Sequence, residues 1–172
     1  MTTTLAINSG FAPISDANSR ILILGSMPSV KSLEQQQYYA HPRNAFWLIM
    51  SCLFNMDKNS SYQQRYECLI THKIAVWDVI QSCQRQGSLD QDIDSASMIA
   101  NNFNEFLQRH SDIQLICFNG AKAEQVFNRY VLPTLSEQQK EIVRCKLPST
   151  SPAHAAMKFE QKLAVWRQAL SV

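Results

Sequence analysis

The sequence predicts an α/β fold, a three-layer αβα sandwich around a central, mainly parallel four-stranded sheet. Three observations carry this expectation. Four short β-rich runs alternate with stretches of helical periodicity, the pattern of strand–helix–strand units that builds parallel sheets. Three of those runs are almost continuously apolar, as strands covered on both faces are. Each run also ends on a polar or glycine-containing segment, at the carboxyl edge where open α/β sheets collect their ligands.

The first run is Ile21-Leu22-Ile23-Leu24, ending in Gly25-Ser26-Met27-Pro28-Ser29. Helical patterns follow over roughly 45–54 and 61–71. The second run, Ile74-Ala75-Val76-Trp77, ends in Asp78. The stretch from Gln84 to Ser95 is polar and contains Gly87, so it reads as a long loop before a helix over 97–109. The third run, Ile113-Gln114-Leu115-Ile116-Cys117-Phe118, ends in Asn119-Gly120 and opens a helix over 120–130. The fourth run, Ile142 to Leu147, alternates, which predicts an edge strand with Arg144 and Lys146 outward. It delivers Pro148-Ser149-Thr150-Ser151-Pro152 and then a last helix over 153–170.

With 172 residues and 45% apolar content the chain is expected to form a single domain, 1–172, with a real core. No apolar run approaches the ~18 residues of a membrane span, so no membrane partner is expected. The N-terminus has no basic start and no long apolar stretch, which argues against a signal peptide. The five cysteines stand singly with no C-x-x-C pair, which argues against zinc or iron–sulfur binding. Isolated cysteines in apolar surroundings read as reduced and buried, hence cytoplasmic. A net charge of +2 is too mild to mark a nucleic-acid binder, so such a role needs local basic positions. No G-x-S-x-G, H-E-x-x-H or Walker pattern occurs, and neither metal nor cofactor is expected.

Two loop-like stretches remain, Gln37 to Trp47 and Leu147 to Ala155. Each mixes proline, aromatic or small hydroxyl residues and leads into a helical pattern, and loops carry function more often than cores do. If both lie at one sheet edge they form an aromatic wall, amide groups and a small-residue finger, equipment that suits a planar heterocycle drawn from a nucleic acid. Each group also has a plainer reading. Phe46 and Trp47 suit a core, Asn44 a helix N-cap, Asn119 a strand-to-helix cap, and Ser149 to Ser151 a Ser/Thr-rich cap; Asp78, the one acid at a strand end, suits a helix cap or loop anchor better than a general base.

These motifs together resemble the uracil-DNA glycosylase superfamily and, within it, the hypoxanthine-DNA (deoxyinosine) glycosylase branch. The resemblance rests on Gly25 to Ser29, Tyr38 to Trp47, Ala75 to Ile80 with Gly87-Ser88-Leu89-Asp90, Phe118-Asn119-Gly120, and Leu147 to Ala155. It runs from about Arg20 to the last helix. Two departures matter. Met27 stands where much of the superfamily has a water-activating Asn or Asp, and Leu147 stands where another branch has a base-stabilising His. The deoxyinosine branch implies a relocated Asn, which matches Asn44, and a second one matching Asn119.

The resemblance therefore implies catalytic roles for Asn44 (water positioning or leaving-base stabilisation) and Asn119 (the base edge). Tyr39 matches the family's stacking aromatic, and Met27, His41, Phe46, Asp78 and Ser149 complete the expected substrate pocket. Ser29, Lys31, Arg43, Arg85, Thr150, Ser151, Pro152 and His154 are the expected DNA contacts, the hydroxyls and amides of the last loop approaching phosphates. The implied activity is monofunctional base-excision repair: hydrolysis of the N-glycosidic bond of a deaminated base, hypoxanthine above uracil or xanthine, leaving an abasic site. The expected partner is double- or single-stranded DNA with deaminated bases, and the expected state is a monomer. Two rival expectations stand beside this one: a catalytically weak or inactive nucleic-acid-binding module, and a small-molecule nucleoside or ester hydrolase.

Overall fold

A computed structural model describes residues 6–171. Its centre is a four-stranded parallel sheet built from β2 (Ile21–Gly25), β3 (Ile74–Asp78), β6 (Leu115–Asn119) and β7 (Val143–Leu147), in the order β3-β2-β6-β7. Apolar side chains cover both faces because successive residues of a strand point opposite ways. Leu22, Leu24, Ile116 and Phe118 face one layer, with α4 (Phe103–Arg109) and α5 (Ala121–Val126). Ile23, Val76 and Cys117 face the other, with α2 (Phe46–Phe54), α3 (Tyr62–Thr71) and α7 (Phe159–Leu170). The three-layer α/β expectation holds.

The register matters most for the site. Gly25 pairs with Asp78, Leu24 with Phe118, and Asn119 with Leu147. All four parallel strands therefore end at one edge. Strand order reverses beside β2, so a crevice opens there between the β2 and β6 ends, where doubly wound sheets bind ligands.

Several predicted elements differ. Gln84–Ser95 is mostly loop as expected, with one 3-10 turn at Asp90–Asp92, but strands flank it: β4 (Ile80–Gln84) pairs antiparallel with β1 (Ile7–Ser9) and with β5 (Ile99–Ala100) in a second, three-stranded sheet. The mixed pattern of β4 hid it, since Ile80 and Cys83 are buried while Gln81 is exposed. Two short helices, α1 (Val30–Gln35) and α6 (Glu137–Lys140), also had no strong period; each is started by a serine cap, Ser29 and Ser136. On β7, Lys146 is exposed as expected, but Arg144 is half-buried and donates to the Lys140 and Ile142 carbonyls. The last helix begins at Phe159 rather than 153. Between them the chain makes turns, because serine oxygens take the amides a helix would use: Ser151 N–H donates to Ser149 Oγ and Ala153 N–H to Ser151 Oγ. The amides of this loop are therefore not a helix N-terminus.

Candidate active site

A cleft of about 360 Å³ opens at the carboxyl edge of the parallel sheet. Both motif loops reach it. They are joined directly, since Ala45 N–H donates to the Thr150 carbonyl at 2.9 Å. Asn119 holds the second loop from the strand side: its Oδ1 accepts from Thr150 N–H and its Nδ2 donates to Thr150 Oγ1, both at 2.9 Å. Gly120 follows at φ +98, and a Cβ there would sit 3.0 Å from Ser149 Cβ, so the bare backbone lets the loop lie close. On the far side Trp166 Nε1 donates to the Pro148 carbonyl and the buried Lys162 amine to the His154 carbonyl.

The first loop is fixed from below. Tyr38 is buried, with its hydroxyl donating to the Phe11 and Ala12 carbonyls, and Trp47 Nε1 donates to the Tyr38 carbonyl at 2.8 Å. The next residue, Tyr39, sits at φ 55, a left-handed conformation uncommon for a non-glycine residue. Tyr39 projects into the cleft, braced by Phe46 stacked on it at 4.0 Å.

Asn44 also lines the cleft. Its Oδ1 accepts from Phe46 N–H at 3.0 Å, taking up the first free amide of α2. That donor fixes which end of the carboxamide is oxygen. Nδ2 is left without a protein partner among the described residues. Asn44 therefore offers the cleft two amide hydrogens, with one lone pair of its oxygen already engaged.

The floor holds the least ordinary chemistry. Gly25 has no side chain, and a Cβ there would lie 2.5 Å from Asp78 Oδ1 and 3.2 Å from the Tyr39 hydroxyl. These two groups thus crowd one point. Neither Asp78 Oδ2 nor the Tyr39 hydroxyl has a hydrogen-bond partner, though both are buried. Such orphans are rare and call for an explanation. Burial, and then the neighbouring Asp90 carboxylate, push the Asp78 carboxyl up to about 7, against the opposing pull of Arg85. Burial and the charge of Asp78 also push the Tyr39 hydroxyl well above the usual phenol range, so it stays neutral.

The expected residues sort into two groups. Met27, Ser29, Tyr39, Asn44, Asp78, Asn119, Ser149, Thr150, Ser151 and His154 all line the cleft. Lys31, His41, Arg43, Phe46, Arg85 and Pro152 do not. Phe46 is fully buried and can only brace Tyr39. His41 turns its Nδ1 to the Arg43 amide, 3.1 Å away. Arg85, expected on phosphate, is buried beneath the β2 loop, where it donates to the Pro28 carbonyl, so it is a brace for that loop. Asp78 makes no side-chain anchor to a loop; its backbone carbonyl does that, accepting from Asn101 Nδ2.

Among the lining residues that sequence reasoning did not assign to the site, two are charged, Asp90 and Lys122. Asp90 sits in a segment read as loop, and its Oδ1 accepts from Ser26 Oγ at 2.6 Å, which brings it onto the floor. Lys122 follows Gly120 by two positions at the start of α5, and its place at a strand-to-helix turn was the available signal. Among the described residues no group of three or more His, Cys, Asp or Glu side chains could hold a metal ion.

The family model for the uracil DNA glycosylase superfamily matches residues 12–170. The chain belongs to the uracil DNA glycosylase superfamily. This glycosylase is 38% identical over 115 residues to the hypoxanthine DNA glycosylase of Methanosarcina barkeri, an alignment covering 66% of this chain and 72% of that one. It is 36% identical over 118 residues to the hypoxanthine DNA glycosylase of Methanosarcina acetivorans, covering 68% and 73%. Its fold superposes with a TM-score of 0.77 on the solution NMR structure of a uracil DNA glycosylase candidate from Methanosarcina acetivorans, at 32% identity over 97% of this chain and 100% of that one. In this glycosylase the positions of Met27 and Leu147 are buried and apolar, at 7% and 2% exposure, so neither can direct a water.

Proposed function

We propose that this DNA glycosylase hydrolyses the N-glycosidic bond of deoxyinosine, releasing hypoxanthine and leaving an abasic site, with uracil and xanthine as lesser substrates. It acts without a cofactor, as a cytoplasmic single-domain monomer, on deaminated bases in double- or single-stranded DNA. The target nucleotide leaves the stack, at a cost of a few kcal/mol that falls at a mismatch. Stacking on Tyr39 offsets about 1–3 kcal/mol of that. As the sugar develops oxocarbenium character the departing base gains negative charge, which fixed donors must hold.

The observation that carries this reading is the state of the Asn44 carboxamide. With its oxygen occupied by Phe46 N–H, its amide hydrogens face a cleft shared with Tyr39 and Asn119. The two free amide hydrogens suit a base carbonyl or ring nitrogen, whereas only the second lone pair of the oxygen is left to take a proton from water. Of the two roles open to Asn44, leaving-base stabilisation is thus favoured. Asn119 has one N–H left after gripping Thr150, and it lies beside the Tyr39 hydroxyl at the base edge. Ser29, Ser149 to Ser151, His154 and the exposed Arg43 contact the flanking backbone.

The test uses duplexes carrying one deoxyinosine, uracil or xanthine, incubated with excess chelator and then treated with alkali to break abasic sites. Chelator-resistant cleavage strongest at deoxyinosine is expected. Tight binding without cleavage would instead identify a binding module, and base release from free nucleosides a small-molecule hydrolase.

A further inference from the structure

The glycosylase reading leaves one buried acid unused. Asp78 ends β3, is 5% exposed, and lines the cleft, yet Oδ2 has no partner. A carboxylate kept for stability would be hydrogen-bonded or paired with a cation. Burial disfavours the Asp78 charge, and so does Asp90, which comes from the turn beyond β4. Tyr38 and Tyr39, from the loop before α2, stand beside it as neutral phenols. Asp90 is itself held in place by Ser26 Oγ. Arg85, at the end of β4, is the one opposing charge, and its hydrogen bond goes to Pro28 rather than to Asp78. The absent Cβ of Gly25 leaves the room that the Asp78 carboxyl and Tyr39 hydroxyl occupy.

We propose that Asp78 is a catalytic acid, its protonated carboxyl delivering a proton to a ring nitrogen of the purine held against Tyr39. The proposal rests on the glycosylase reading above and adds the group that lets the base leave neutral. A purine carries lone pairs at N3 and N7, away from the scissile bond, that can receive this proton. The C1′–N9 bond breaks with its electron pair going to the base, as the Asp78 proton neutralises the purine. Water adds to C1′ and releases one proton, which restores the Asp78 acid directly or through solvent. The sum is nucleotide plus water giving abasic sugar plus neutral hypoxanthine. Asn44 donates to the same leaving base without giving up a proton, so the two groups act in parallel.

The experiment measures single-turnover release of hypoxanthine from a duplex between about pH 5 and about pH 9, for wild type, Asp78→Asn and Asn44→Ala. The wild-type rate should fall as pH rises through about 7, where burial and Asp90 set the acid. Asp78→Asn preserves shape but has no proton to transfer; it should lose about 10²–10⁴-fold in rate and show no such limb. Asn44→Ala should be slow yet keep the limb. Binding to an abasic-site duplex, unchanged in Asp78→Asn, separates lost chemistry from lost structure. A wild-type profile flat across this range overturns the proposal even if Asp78→Asn does not fold, and so does an Asp78→Asn rate close to wild type. No hypoxanthine release by wild type at any pH overturns the glycosylase reading as well, whereas release that survives Asp78→Asn overturns the acid alone.

Discussion

At Asn44 one carboxamide serves two ends: its oxygen takes the Phe46 amide of α2 and its nitrogen faces the cleft. The two can be separated. Asn44→Asp keeps an acceptor for Phe46 and should melt close to wild type, yet lose about 10²–10³-fold in base release because a donor has become an anion. Asn44→Ala should lose a comparable rate and, in addition, about 1 kcal/mol of stability with the hydrogen bond to Phe46 N–H. Thermal melts and single-turnover rates on the same preparations check both; a fully active Asn44→Asp would remove the donor from the mechanism. The double use also explains what the chain disclosed at this scale. A cap reading and a catalytic reading of Asn44 were both open from sequence; its bond to the first amide of α2, made from the residue before the Ala45 cap, is compatible with the proposed catalytic role. Asp78 was visible as an acid at a strand end, but its missing partner was not, since that depends on Gly25, Tyr39 and Asp90 meeting across three separate segments. Phe46 and Arg85 misled for a related reason. Residue type marks a side chain as able to stack or to bind phosphate, and only packing shows that the one braces Tyr39 and the other Pro28.

Among the elements, the segment from Pro148 to Lys158 carries the most consequence. It is tied at Ala45, Asn119, Trp166 and Lys162, each tie reaching it from a different part of the fold. Gly120 sets how closely it approaches β6. Gly120→Ala should destabilise the protein by more than about 1 kcal/mol, because φ +98 is strained for any L side chain and the new methyl meets Ser149. It should also weaken binding to an abasic-site duplex more than it slows base release at saturating enzyme; denaturant titration and fluorescence anisotropy measure the two. The parallel strands were legible because burial on both faces leaves long apolar runs. The antiparallel sheet and this segment were not. β4 is half-covered and short, and the serines that replace helix hydrogen bonds between Ser149 and His154 look in sequence like an ordinary helix start.

For the molecule as a whole, the buried acid sets a pH dependence of stability. In the unfolded chain Asp78 ionises near 3.8, while in the fold it does so at about 7. Across that window the native state holds a proton that the unfolded state has released, so stability falls as pH rises from about 4 to about 7 and then levels. Asp78→Asn removes this loss. Its melting temperature should exceed wild type by an amount that is small near pH 4 and largest above pH 7, and a constant offset would place the acid elsewhere. A substitution that stabilises while abolishing chemistry is the trade expected of a strained site. The bare α-carbon of Gly25 has a last implication, this time for descent. Any side chain at position 25 must displace the atoms at 78 or 39, so lineages that abandon the glycine are expected to carry a shortened residue at one of those two positions, the three drifting as a set.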